Sequence, residues 1–247
     1  RTWIGQVVSE TGYHFNTIAV LALIMQTSGS GLLASGVMLS RAIPAMLMGP
    51  VAGVALDRFD RKRIMVATDL VRTVVALGFI LTVSNPQPWL LYVLSALLMG
   101  ASPFFNAGRA SILPSITSPA ELHTANSLTQ TTQWTTLTCG TVLAGWSVAK
   151  LGYELAFVVN AASFLWSALA IARLKLPGGF RPQRTGRAPA QPWRDYADGV
   201  RYILSVPLIF GIAMITVGWA TGGGAAQLLF TLFGEQVFNR GAAGIGE

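Results

Sequence analysis

Charge is scarce in this sequence. Asp, Glu, Lys and Arg together make up 11% of its 247 residues, where a soluble globular domain carries about 25%. That is too little to build a polar shell around a chain that is 52% hydrophobic. There is one cysteine, Cys139, so no intrachain disulfide can form. It stands inside an apolar run, where a free thiol is expected to be buried as a small hydrophobe. The two histidines, His14 and His123, are far apart, and no set of residues has metal-ligand spacing. No phosphate-cradling Gly-x-x-x-x-Gly-Lys-Ser/Thr segment is present, which excludes ATP as a fuel. No enzyme signature and no cofactor motif stands out. The first apolar run is long and lacks a small-residue cleavage site, so it does not read as a removable leader.

What the sequence has is length of apolar run. A helix crossing a bilayer needs about 20 mostly apolar residues, and seven stretches meet that by eye: about 3–25, 32–56, 64–83, 89–112, 127–149, 153–174 and 208–232. The fold class is therefore all-α, a polytopic membrane protein. Thr27 to Gly31, Ser84 to Pro88 and Leu151-Gly152 punctuate the runs as turns. Ser118, Pro119 and Glu121 read as the N-cap, first-turn proline and first-turn acid of a helix.

The 17 basic residues outnumber the 10 acids, for a net charge of +7. They do not form a patch with exposed aromatics, which argues against nucleic acid as a partner. They lie between the apolar runs and on one side. Arg1, Arg58, Arg61, Lys62, Arg63, Arg173, Lys175, Arg181, Arg184, Arg187, Arg194 and Arg201 occupy one set of connections; Lys150 and Arg240 occupy the other. The positive-inside rule then places the N-terminus and the end of the sixth helix in the cytoplasm. Leu176 to Pro192, rich in Pro, Gly and Arg, reads as a cytoplasmic linker. Trp193 to Leu204 alternates an apolar face (Tyr196, Val200, Ile203, Leu204) with a charged one (Arg194, Asp195, Asp198, Arg201). This is either an amphipathic helix lying on the membrane surface or an extension of the seventh span. The domain division is 1–174 for a six-helix bundle, 175–206 for the linker, and 207–247 for the first helix of a second bundle.

Between the second and third spans stands Gly53-Val-Ala-Leu-Asp57-Arg58-Phe-Asp60-Arg61-Lys62-Arg63. Gly53 would let two helices approach closely. Asp57 falls one turn later on the same face, placed to accept hydrogen bonds from a neighbouring helix N-terminus or an arginine. The basic cluster would face anionic lipid heads. Motif and position together resemble the signature of the major facilitator superfamily, and within it the bacterial drug, macrolide and siderophore exporters. Further landmarks are Gly49-Pro50, Asp69-Leu-Val-Arg72, Ala110-Ser-Ile-Leu-Pro114, Glu121-Leu122 and Ala125-Asn-Ser-Leu128. One departure is Gly140-Thr-Val-Leu-Ala-Gly145, which lacks the proline that antiporters of the family often carry in the fifth helix. The resemblance implies a whole of twelve helices, of which these residues supply the first half and helix 7. It also implies that the Gly53 to Arg63 loop gates the outward-open state, and that the seventh helix bends during alternating access. Gly222-Gly223-Gly224, with its low helix propensity, is then the candidate hinge.

Five ionisable residues lie within the spans: Glu10, Arg41, Asp69, Arg72 and Arg109. Each is costly in lipid unless paired or facing water. Asp69 and Arg109, with Asp57, are placed to form a cytoplasmic gating network; the alternative is a local pair of Asp69 with Arg72 one turn on. Glu10 is either the acid that couples transport to protons or a static partner of Arg41 or Arg72. Tyr13, His14 and Asn16 on the first helix, Asn106 and Phe104 on the fourth, and Thr129, Gln130, Gln133, Thr136 and Thr138 on the fifth suit a face lining an aqueous path. Interhelical hydrogen bonding is an equal reading of the Thr and Gln run, and packing is the plainer one for His14. The implied function is secondary active export of a small amphiphilic compound of drug, macrolide or siderophore type, coupled to protons. The working unit is a monomer in the bacterial inner membrane. A metabolite importer and a non-transporting sensor or scaffold are the other readings. A retinal protein would need a Schiff-base lysine in the last span, and 208–232 contains no Lys. Reporter fusions at Arg61 and Arg184 are expected to report the cytoplasm, and fusions at Gly29 and Gln87 the opposite side. Arg61 and Arg184 on opposite faces would break the assignment.

Overall fold

The computed structural model describes residues 2–116, 119–173 and 192–233. Among these the chain forms helices α1 (Thr2–Ser28), α2 (Gly31–Arg58), α3 (Arg61–Gly78), α4 (Ile80–Ser84), α5 (Pro88–Ile116), α6 (Pro119–Leu151), α7 (Tyr153–Ala172), α8 (Pro192–Ser205) and α9 (Pro207–Leu232). Long helices are what lipid demands, because every backbone polar group must be satisfied within its own segment. α3 and α4 form one span, interrupted at Phe79. Ser118 and most of the linker, with Lys175, Arg181, Arg184 and Arg187, lie outside the described residues.

Among the described residues, five spans are long and apolar enough to cross a membrane: α2, α3 with α4, α5, α7 and α9. The sequence reading had seven. α1 and α6 are long enough, at 27 and 33 residues, and fall short in apolarity. Position accounts for α1. Every residue from Phe15 to Met25 is buried, and α6 and α7 pack along the helix. Protein rather than lipid is its solvent, so Glu10, His14 and Asn16 are tolerated. α6 presents a stripe of Thr132, Thr136, Gly140, Ala144 and Val148 inward and leaves Gln130, Gln133 and Thr138 exposed.

The rest of the bundle follows from three further pairings: α2 on α5, α3 on α5, and α3 on α7. Phe79 stacks on Phe157 with ring centroids 5.3 Å apart, an arrangement worth about 0.5–1.5 kcal/mol beyond its buried area. Leu21, Ile24, Leu91 and Leu98 fill the core around it. Gly152, at φ 87°, turns the chain between α6 and α7 in the left-handed region that favours glycine. α8 is a helix of its own, set off from α9 by extended backbone at Val206. Its charged face carries an Arg201–Asp198 pair at 3.1 Å.

Two expectations change. Cys139 is exposed, because it stands on the outer face of α6 and not on the stripe against α1. The space around Gly53 is open. The close helix approach falls at Gly12, where an added Cβ would collide with Ser163 Oγ and stand 3.1 Å from Asn160 Cα. α9 runs unbroken through Gly222, Gly223 and Gly224. Each glycine weakens a helix by only about 1 kcal/mol, less than leaving backbone groups unsatisfied in lipid. Gly12→Val is expected to destabilise the full-length protein by about 1–3 kcal/mol through overpacking of α1 against α7. Gly199→Ala, on exposed α8, should be neutral or slightly stabilising. Thermal unfolding in detergent compares the two.

Candidate functional site

Helix direction decides which charges meet. Glu10 lies roughly 12 Å along α1 from its start, and Arg109 roughly 10 Å from the end of α5, at about 1.5 Å per residue. The two helices run in opposite senses, so these depths coincide. Arg109 Nη1 donates to Glu10 Oε1 at 3.4 Å, and the Thr136 hydroxyl stands 3.1 Å from Oε2, its one proton shared between that oxygen and the Thr132 carbonyl at 2.8 Å. One carboxylate therefore joins α1, α5 and α6. Glu10 and Arg109 are partly buried, their side chains 20% and 29% exposed.

A second cluster lies deeper. Arg72 Nη1 donates to Asp69 Oδ1 at 2.9 Å, one turn back on α3. Arg72 Nη2 donates to Ser102 Oγ on α5 at 3.2 Å. The guanidinium lies over the rings of Phe164 at 4.5 Å and Phe105 at 5.1 Å. Cation–π contact of this kind gains strength when desolvated, and Asp69 and Arg72 are both buried.

Arg41 forms the third. It lies roughly 15 Å from the start of α2, near the bilayer midplane. Nη2 donates to Thr17 Oγ1 at 2.9 Å and Nη1 to Asn16 Oδ1 at 3.4 Å. The guanidinium stands 5.1 Å from the Tyr13 ring centroid. His14 meets Tyr13 edge to face at 5.4 Å and packs against Gly140.

The loop between α2 and α3 is held by capping. Asp60 accepts from the Arg63 backbone N–H at 2.9 Å, satisfying one of the donors a helix start leaves free. Arg61 Nη1 donates to the Ser111 carbonyl on α5 at 3.3 Å. Asp57 and Arg58 are exposed at the end of α2. Lys62 and Arg63 border a shallow groove of about 400 Å³ floored by Val66, Ala67, Leu70 and Ala172.

Four of the five intramembrane charges sort into two pairs, one of them the local pair that its spacing had offered. Asp69 turns to Arg72 on its own helix. Arg109 turns to Glu10, and Asp57 joins neither. The partner of Glu10 is Arg109, not Arg41 or Arg72. Asn106 and Gln133 are exposed and belong to none of the clusters. Thr17, Ser102, Phe105, Phe164 and the cap role of Asp60 escaped sequence reading. Asp60 alone carried a local signal, as a capping residue before an apolar periodic run.

Comparison with known proteins points one way. The family model described as Major Facilitator Superfamily matches residues 2–245. The uncharacterized MFS-type transporter YfiS of Bacillus subtilis (strain 168) is 28% identical over 205 residues, covering 83% of this chain and 48% of its own. The multidrug efflux pump Tap of Mycolicibacterium fortuitum is 29% identical over 210 residues, covering 81% and 51%. A candidate bacilysin exporter, BacE of Bacillus subtilis, is 33% identical over 142 residues, covering 58% and 35%. The chain spans about half the length of the curated relatives it matches.

The buried α3 pair is open to a double-mutant cycle. Asp69→Asn alone leaves a buried guanidinium without its carboxylate and is expected to cost about 3–5 kcal/mol. Asp69→Asn with Arg72→Gln should recover most of that loss. Additive losses in detergent unfolding would show that the two residues do not act as a pair.

Proposed function

The chain belongs to the Major Facilitator Superfamily, a family of transporters and not of enzymes, and on that premise we propose that it is the first half of a proton-coupled exporter with helix 7 attached. The multi-pass helical architecture and the efflux proteins among its relatives support this reading. The proposed cargo is a small amphiphilic organic compound, carried by rocking of two six-helix halves about a midplane site. The chain would lie in the bacterial inner membrane as a monomer with its N-terminus in the cytoplasm, as the basic connections suggest.

The observation that carries the mechanism is the junction at Glu10. A carboxylate shared by Arg109 on α5 and Thr136 on α6 neutralises the guanidinium while it is ionised. Protonation of Glu10 weakens that attraction and lets the three helices separate. Deprotonation closes them again. Such a contact converts a proton into a change of helix packing, which is what coupling requires. The Gly53 to Arg63 loop, with Asp57 and Arg58 exposed and Arg61 tied to α5, is proposed as the cytoplasmic gate. The glycine triplet of α9 is proposed as the hinge.

The test is transport by the full-length protein in everted vesicles with an imposed proton gradient, using a panel of amphiphilic dyes. Wild type is expected to accumulate dye only with the gradient. Glu10→Gln should lose gradient-driven accumulation and keep downhill exchange. Undiminished accumulation by Glu10→Gln would remove Glu10 from coupling. Accumulation that needs the opposite gradient would make the protein an importer.

A further inference from the structure

The bundle interior does not balance its charge. Glu10 is matched by Arg109 and Asp69 by Arg72. Arg41, only 5% exposed, has no carboxylate partner among the described residues; it meets the Asn16 amide oxygen, the Thr17 hydroxyl, and the ring and hydroxyl of Tyr13. Arginine does not shed its proton in proteins, so it cannot relieve this burden by neutralising. A charge at the midplane without a counter-ion is among the costliest arrangements in a membrane and marks function.

A second observation points the same way. Asn16 is wholly buried, and its Nδ2 has no acceptor. The carboxamide that gives Arg41 its oxygen therefore carries an unused N–H donor group beside the guanidinium. The guanidinium has five N–H donors, of which Asn16, Thr17 and the Tyr13 hydroxyl engage three. Thr17 meanwhile donates its own hydroxyl proton to the Tyr13 carbonyl at 2.9 Å, which leaves its oxygen to accept. The cluster holds donors to spare and a positive charge, and what it lacks is an anionic acceptor. α1 and α2 touch each other far less than α1 touches α7 or α2 touches α5. Tyr13 is half-buried, with its ring against the guanidinium.

We propose that Arg41, with Asn16 and Tyr13, is a midplane subsite for the carboxylate of the transported molecule, so that the cargo is an amphiphilic organic anion. The carboxylate would take a forked pair of bonds from the guanidinium and a third from Asn16 Nδ2, with the apolar part of the molecule lying over Tyr13. This rests on the export reading above and narrows its substrate class. It also gives α2 a reason to keep a destabilising charge, since binding energy is then available only to a ligand that supplies the missing acceptor.

The test uses purified full-length protein and three acids, N-acetylphenylalanine, N-acetylleucine and 1-naphthoate, each beside its uncharged amide. In wild type at least one acid is expected to bind about tenfold or more tightly than its amide, read by ligand-dependent shift in Tm. Arg41→Met should shrink that preference to less than about twofold, and Arg41→Lys should keep part of it. If Arg41→Met keeps the wild-type preference for acid over amide, the guanidinium does not hold the carboxylate and the proposal is wrong. If every acid binds like its amide, it is wrong as well. Gradient-driven uptake of the same compounds into everted vesicles separates the two readings. Acid-selective binding without uptake would overturn export and leave the subsite standing; uptake of acids and amides alike would overturn the subsite and leave export standing.

Discussion

Low dielectric is the constraint on which the rest of this molecule depends. In lipid an ion cannot borrow its counter-charge from solvent, so each charged side chain has to be matched within the protein or held for a purpose. The match between Glu10 and Arg109 draws α5 to α1, and Thr136 brings in α6. The match between Asp69 and Arg72, with Ser102 as third partner, fastens α3 to α5. Apolar packing cannot select these neighbours by itself, since lipid tails are as apolar as leucine side chains. The polar contacts fix particular residues against each other, and small-residue approaches such as Gly12 against α7 bring helices close. The phenylalanine stack at Phe79 and Phe157 then fills what remains.

The number and placement of helices were legible in the sequence because lipid imposes a length. All seven stretches read as spans became helices, with ends that agree to within a few residues except at α6, which starts at Pro119 and not near 127. α1 and α6 are long helices as well, outside the five that length and composition single out. Run length alone does not distinguish a helix facing lipid from one wrapped by its neighbours, and α1 is wrapped from Phe15 to Met25. The error fell on Cys139, where an apolar context suggested burial and the outer face of α6 gave exposure.

Within the site, what was legible was local. Asp69 and Arg72 are three residues apart on one helix, and that spacing was enough to offer their pairing. Glu10 and Arg109 are separated by 99 residues, and no periodicity links them; their meeting depends on the antiparallel course of α1 and α5. The partners of Arg41 had the same obstacle, since Asn16 and Thr17 belong to another helix. Glycines misled for a related reason. A glycine signals that a close approach is permitted, and only the neighbour decides whether it occurs, as at Gly12, or leaves open space, as at Gly53.

The two carboxylate–guanidinium pairs differ in one respect with a mechanical consequence. Asp69 and Arg72 are rungs of a single helix, so their 2.9 Å separation is carried along unchanged by any shear of α3 against the bundle. Glu10 and Arg109 ride on different helices, and a slide of α1 by even one residue's rise alters their 3.4 Å separation by a large fraction. The first pair is ballast. The second is a strain gauge, stretched or slackened by the same displacement that leaves the other untouched.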